Sequence, residues 1–190
     1  MLGPQGSGKG TQAKRIKATY GVPHIATGDM IREMKELPTD LGRELKDVYD
    51  RGDLVSDELM IRLIEDRLKR GDTVAGFVLD GFPRTMAQAD ALDDLLRELG
   101  RSLDVVFEFQ VPDRQELLRR MLKRAEEENR ADDTPEAISR RLELYDRETA
   151  PLVEYYRSTR GNGVGIHADR GIDDVFHEIE QSLSSVEARA

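Results

Sequence analysis

Gly3-Pro4-Gln5-Gly6-Ser7-Gly8-Lys9-Gly10-Thr11 opens the chain, between an apolar stub, Met1-Leu2, and a helical pattern that runs from Lys9 to Tyr20. Glycines at this spacing let the backbone curl, so that successive N–H groups point inward, as they do around phosphate oxygens. A helix starting directly behind the curl adds the partial positive charge of its N-terminus. Lys9 adds a full charge, suited to β- and γ-phosphates. The general form of such a loop has Ser or Thr right after the Lys, whereas here Gly10 intervenes before Thr11. Outward from this stretch, strand and helix patterns alternate, which predicts a parallel sheet covered by helices.

Val78-Leu79, bracketed by Phe77 and Asp80, reads as a short buried strand, as do Val105–Phe109 and Val164–His167. His24-Ile25-Ala26, just after Pro23, is a fourth candidate. Helices fill the gaps. Ser56 can cap one with the apolar face Leu59, Leu63, Ile64 and Leu68. Another runs from Thr85 to Leu99, ending at Gly100, and Pro112-Asp113 opens a third. Thr134-Pro135 begins the next, with Pro at the first helical position. Ile172, Val175, Phe176, Ile179 and Leu183 form an amphipathic stripe expected to dock on the core. Residues 27–57 carry helical patterns without a strand, and residues 125–133 are almost wholly polar. Both fit solvated connectors, or mobile covers over a site.

The chain has 190 residues and a formal net charge of −9. That length suits one α/β domain with small excursions. The acidic balance argues against a protein that coats nucleic acid or an anionic membrane. Arg residues nevertheless gather near the motifs, and an acidic body with a local basic pocket suits a small polyanion. Absence of cysteine excludes disulfides, thiolate metal sites and a cysteine nucleophile. His24, His167 and His177 have no metal-ligand spacing and are read as packing or surface residues. No apolar run reaches the ~18 residues of a membrane span and no signal peptide opens the chain, so a cytoplasmic location is expected.

The opening nonapeptide resembles the Gly-Lys-Gly-Thr P-loop of the nucleoside monophosphate kinases. Further along, Thr27-Gly28-Asp29-Met30-Ile31-Arg32 and Gly52-Asp53-Leu54-Val55-Ser56 look like the two AMP-binding segments of adenylate kinases. Asp80 to Ala89 is close to the adenylate kinase signature. Arg130-Ala131-Asp132-Asp133, Arg141 and Thr149-Ala150-Pro151-Leu152 resemble the stretch after the lid. This resemblance implies a parallel five-stranded P-loop sheet with helices on both faces, a helical AMP-binding insertion at 27–57 and a short lid at 125–133. The core would then comprise residues 1–26, 58–124 and 134–190. It implies a monomeric enzyme for ATP + AMP = 2 ADP, with Mg²⁺ accompanying ATP and no structural zinc.

By the same resemblance, Gly6, Ser7, Gly8, Lys9, Gly10, Thr11, Arg120 and Arg124 bind ATP. Thr27, Arg32, Leu54, Val55, Gly81, Phe82, Arg84, Gln88, Arg130 and Arg141 bind AMP. Lys9, Arg84, Arg130 and Arg141 are catalytic, and Asp80 organises Mg²⁺ through its waters. No covalent residue is needed, because phosphoryl transfer rests on positioning and charge neutralisation. Guanidinium groups suit that work, their planar fork meeting phosphate oxygens in pairs. Arg120 and Arg124 lie four apart on one helix face, but Arg119 and Lys123 share that spacing and compete for the role. The Gln88 amide offers a donor and an acceptor together, matching N1 and the 6-amino group of adenine.

One feature departs from the family. Its central first strand should place about five apolar residues before the loop, whereas only Met1 and Leu2 precede it. A chain truly starting there is expected to fold poorly, with neighbouring strands left unpaired. Two rival readings remain: a UMP/CMP kinase, which shares fold, loop and short lid, and a catalytically silent nucleotide-binding module. Thr27 and Gln88 favour adenine over the first, and retention of Lys9, Arg32, Arg84, Arg130 and Arg141 argues against the second.

Overall fold

The structure, a computed structural model, describes residues 1–128, 130 and 132–187. Helix α1 (Lys9–Tyr20) begins where Gly8 turns into the left-handed region at φ 89° and stops at Gly21, φ 69°, whose N–H returns to the Lys17 carbonyl. Strand β1 (His24–Ala26) leads into α2 (Thr27–Lys35), and α3 (Asp40–Asp50) and α4 (Asp57–Leu68) follow. Strand β2 (Val78–Asp80) precedes α5 (Met86–Glu98), β3 (Val106–Gln110) and α6 (Arg114–Glu127). Then come α7 (Pro135–Leu144), α8 (Ala150–Glu154), β4 (Gly163–His167) and α9 (Ile172–Glu187), with π-helical turns at 145–149 and 155–159 flanking α8. Short polar side chains start five of these helices. Thr39, Ser56, Thr85, Asp113 and Thr134 each accept a hydrogen bond from a first-turn N–H, satisfying a donor the helix leaves orphaned.

All four anticipated strands form, but the described residues do not make one five-stranded sheet. They make two parallel pairs, β1–β2 with Ile25 opposite Leu79, and β3–β4 with Glu108 opposite Gly165. Met1-Leu2 lies between the pairs. The Leu2 N–H donates to Phe107 O at 2.7 Å, Leu2 O accepts from Phe109 N at 2.8 Å, and the Met1 amino group donates to Leu79 O at 2.8 Å. A strand needs repeated pairing on each side, and two residues supply a single bridge to β3 and one donor to β2.

Three apolar clusters hold the layers together. Phe107 and Phe109 face Ile16 of α1, Met121 of α6, Ile138 of α7, and Val175, Phe176 and Ile179 of α9. Val106, on the opposite face of β3, meets Leu2, Ala89, Leu152 and Tyr156. Ile25 and Leu79 pack under α2 to α5 through Ile31, Leu45, Met60, Ile64, Leu92 and Leu96. Helices therefore cover both sides of β3. The C-terminal stripe docks as expected except at its first member: Ile172 is 59% exposed, because at the helix start it turns into the cleft described next.

Residues 27–57 form α2, α3 and the strandless approach to α4, as anticipated. In the stretch 125–133, α6 runs on through Glu127, while Asn129 and Ala131 lie outside the described residues.

Candidate active site

The loop between Leu2 and α1 forms one wall of a cleft of about 570 Å³. Gly6 sits at φ +83°, and a Cβ there would meet Leu117 O of α6 at 2.8 Å, so only glycine lets the loop pass this close. Lys9 folds back on the loop: its Nζ donates to Gly3 O at 2.7 Å and Pro4 O at 2.8 Å, with Ser7 Oγ at 3.4 Å. Burial pushes the Lys9 ammonium down to about 8. Asp80 opposes that shift, and Arg84 and Arg124 add to it.

Asp80 ends β2 beside this loop, where an open parallel sheet places its ligands. A Cβ at Gly10 would stand 3.4 Å from Asp80 Oδ2, so the residue that interrupts the usual Lys-Ser/Thr order lies against the carboxylate. Burial works against the Asp80 charge, but His24, Lys9 and the Met1 amino group outweigh it and hold the pKa below the ordinary value. His24 Nε2 is 3.3 Å from Asp80 Oδ2, and His24 lines the cleft. Its side chain is packed, 9% exposed, as expected, but it packs against the Asp80 carboxylate at the cleft. The β1–β2 register sets His24 opposite Val78, two residues before Asp80, and side chains two apart share a face.

Behind Asp80, Thr27 is buried, donating from Oγ1 to Gly81 O at 3.0 Å. Arg84 Nε donates to the same carbonyl at 2.8 Å, which fixes the guanidinium at the cleft wall. Burial lowers the Arg84 pKa from its ordinary value, partly offset by Tyr49 and Asp80. Arg32 pairs with Asp29 and donates to the Tyr49 hydroxyl at 2.7 Å.

The remaining arginines are held by carboxylates. Arg141, with a side chain only 7% exposed, pairs with Asp133, with Asp132 at 3.0 Å, and donates to Tyr49 O at 3.1 Å. Arg124 binds Asp133 at 2.5 Å, and Arg130 binds Glu128 at 2.5 Å. Arg120 donates to Glu116 at 2.6 Å and to Ala168 O at 3.0 Å.

A family model described as adenylate kinase matches residues 1–161. The chain is 44% identical to an adenylate kinase of Xanthomonas campestris pv. campestris (strain 8004) over 183 residues, 96% of this chain and 97% of that protein. It is 48% identical to one of Stenotrophomonas maltophilia (strain K279a) over 169 residues, 87% and 90% of the two chains. With one of Micrococcus luteus (strain ATCC 4698) identity is 47% over 186 residues, 98% and 90%. The chain belongs to the adenylate kinase family. It is accordingly an enzyme, a nucleoside monophosphate kinase of the transferase class.

The adenylate kinase cleft gathers most of the residues singled out from sequence. Gly6, Ser7, Gly8, Lys9, Gly10 and Thr11 line it together with Arg32, Leu54, Asp80, Gly81, Arg84, Arg120, Arg124, Arg130 and Arg141. Arg119 and Lys123 do not, their side chains being 78% and 70% exposed and paired with Glu116 and Glu127. Four residues stand off the wall. Thr27 is buried behind it, Phe82 lies in the apolar core, and Val55 packs against that core. Gln88, 1% exposed, turns its amide to Asp57 and the Arg84 backbone. Sequence reading missed His24 and Tyr49, and also Ala168, Arg170 and Ile172, which line the cleft beyond Arg120. For these last three only position after β4, at the carboxyl end of a parallel strand, could have served as a signal.

Among the described residues no helix is long and apolar enough to cross a membrane, and no group of three or more His, Cys, Asp or Glu could hold a metal ion.

Proposed function

We propose that this enzyme transfers the γ-phosphoryl group of ATP to AMP, giving two ADP. The observation that carries the reading is that one cleft joins a glycine-rich cradle around Lys9 to a separate guanidinium set around Arg32 and Arg84. Two anion sites facing each other suit two phosphorylated substrates brought end to end. ATP would lie with its phosphates on residues 6–11, its base end toward Arg120 and its charge met by Arg124. AMP would lie beyond Gly81, with its phosphate on Arg32 and Arg84 and its base toward Leu54, Val55 and Gln88. Lys9, Arg84, Arg130 and Arg141 would neutralise the charge on the transferring group and hold donor and acceptor oxygens in line.

Asp80 fits a role toward Mg²⁺ carried in with ATP. It is a single carboxylate, half-buried and held toward its charged form beside the loop. That donor set suits an ion that keeps waters and phosphate oxygens as its other ligands. Bound there, the ion would supply further neutralisation of phosphate charge.

Residues 27–57 and 125–133 would act as covers that close over both substrates and exclude water, so that phosphate passes to AMP and not to solvent. The opposing reading, UMP or CMP as acceptor, is separated by kinetics. With ATP saturating, kcat/KM for AMP should clearly exceed that for CMP and UMP. A better wild-type rate with either pyrimidine would replace the adenylate reading.

A further inference from the structure

We propose that Asp57 fixes which way round the Gln88 amide faces, and so makes the acceptor site select a 6-aminopurine over a 6-oxopurine. The inference deepens the reading that Gln88 meets the acceptor base and rests on it.

Gln88 Nε2 donates to Asp57 Oδ1 at 2.7 Å, and Gln88 Oε1 accepts from the Arg84 backbone N–H at 2.8 Å. A carboxylate can only accept and a backbone N–H can only donate. Only one of the two orientations of the amide satisfies both. Turned over, its NH₂ would face an N–H and its carbonyl a carboxylate, with two buried groups opposed and unpaired. Thr85 reinforces the arrangement. Its hydroxyl donates to Asp57 at 3.1 Å and accepts from the Gln88 backbone N–H at 3.2 Å. The partners stand on the first turns of α4 and α5, helices packed through Met60, Ile64, Leu92 and Leu96. The lock therefore stands where two packed helices begin, at the α4 end of the 27–57 insertion.

In this orientation one Nε2 hydrogen and one Oε1 lone pair are left over. A spare donor and a spare acceptor match the N1 acceptor and amino donor of adenine. Hypoxanthine reverses both, offering N1–H and a 6-carbonyl, and can be served only by the amide turned over. Neither Asp57 nor Gln88 lines the cleft. Asp57 thus acts as a positioning residue, through Gln88.

The test compares AMP with IMP, which differ only at N1 and C6, by kcat/KM with ATP saturating. In wild type AMP should lead by about a hundredfold or more. Asp57→Asn should shrink that ratio by about tenfold, because an amide at position 57 can pair with a reversed Gln88 carbonyl and leaves only the Arg84 N–H opposed. Thermal unfolding checks that the variant folds. Should it not, Asp57→Ser, whose hydroxyl also donates or accepts, should show the same narrowing. An AMP/IMP ratio in the folded variant within about twofold of wild type, with Gln88→Ala collapsing it, overturns the role of Asp57 and leaves base reading by Gln88 intact. A ratio unmoved by Gln88→Ala overturns the base reading and this inference with it.

Discussion

At the phosphate-loop end of the cleft, Lys9 is held by carbonyls of Gly3 and Pro4, no more than six residues away. Elsewhere on the cleft wall, Arg141 is held by Asp132, Asp133 and the carbonyl of Tyr49, the last 92 residues away. The first region positions its cation with neutral backbone dipoles from its own loop. The second positions Arg32, Arg124 and Arg141 with full negative charges drawn from α2 and the segment between α6 and α7, with neutral help from Tyr49 of α3. The difference concerns what a phosphate must displace. At the loop it would replace carbonyl contacts to one ammonium. Among the arginines it would compete with carboxylates that are themselves buried, Asp132 and Asp133 being 4% exposed each. Those carboxylates keep the guanidinium groups ordered and solvated by protein until substrate arrives.

The largest effect should come from the loop. Lys9→Ala should lower kcat by roughly 10²–10³-fold through lost charge stabilisation of the transferring group. Its melting temperature should stay close to wild type, because the alanine also removes a buried, desolvated ammonium. Steady-state turnover together with circular dichroism melting checks both, and near-normal turnover would remove Lys9 from the chemistry.

Arg141→Ala should instead act first on stability. Among the described residues it leaves Asp132 with Lys35, at 4.0 Å, and Asp133 with Arg124. A loss of about 3 kcal/mol is expected, the lower end for breaking a buried ion pair, since those partners remain. Urea unfolding measures it. A loss near zero would mean that the carboxylates are solvated, and would erase the contrast between the two regions.

The pH profile sharpens the same contrast. With the Lys9 ammonium lowered to about 8 from an ordinary 10.5, the free enzyme loses this charge above about pH 8. kcat/KM for ATP should then fall by about tenfold per pH unit, while kcat, read with phosphate bound, should hold to higher pH. The stability term has the opposite sign. A base whose folded pKa lies below its unfolded one is a burden at neutral pH, relieved as pH rises from about 8 to 10.5. Parallel pH profiles for kcat/KM and kcat would show that bound phosphate does not shift Lys9.

The smallest effect is expected at Asp53, which binds Arg140 at 2.9 Å from the surface of the 27–57 insertion. The two side chains are 30% and 44% exposed, so Asp53→Ala should cost only about 0.5 kcal/mol. A larger loss in the same urea measurement would place a latch on the rim, where only a solvated pair is expected.

These two regions also mark what sequence could and could not convey. The loop was readable because its cues are local: glycines needed for φ, a lysine at fixed spacing, a helix following directly. The strands at 24–26, 78–80, 106–110 and 163–167 were readable from short apolar runs. Continuity of the sheet was not, since it depends on how far Met1-Leu2 can bridge β2 and β3. His24 escaped because its meaning depends on a carboxylate of the paired strand, 56 residues away. Gln88 was recognised as an amide with two functions, but its commitment to Asp57 depends on how α4 and α5 abut. Asp132 and Asp133 read as part of a charged connector, and their burial arises only once Arg141 and Lys35 converge on them.

The most direct test of the central claim, that the cleft seats two nucleotides by exchanging internal contacts for phosphates, is a crystal structure with a bisubstrate analogue carrying both adenosines on one polyphosphate. The account predicts that residues 3–11 keep their backbone path while Lys9 Nζ leaves Gly3 O and Pro4 O for phosphate. It also predicts that Arg141 turns from Asp132 and Asp133 toward the chain of phosphates, with residues 27–57 displaced relative to the core. An analogue bound with Lys9 still on its own loop, Arg141 still on both aspartates and the insertion unmoved would contradict it.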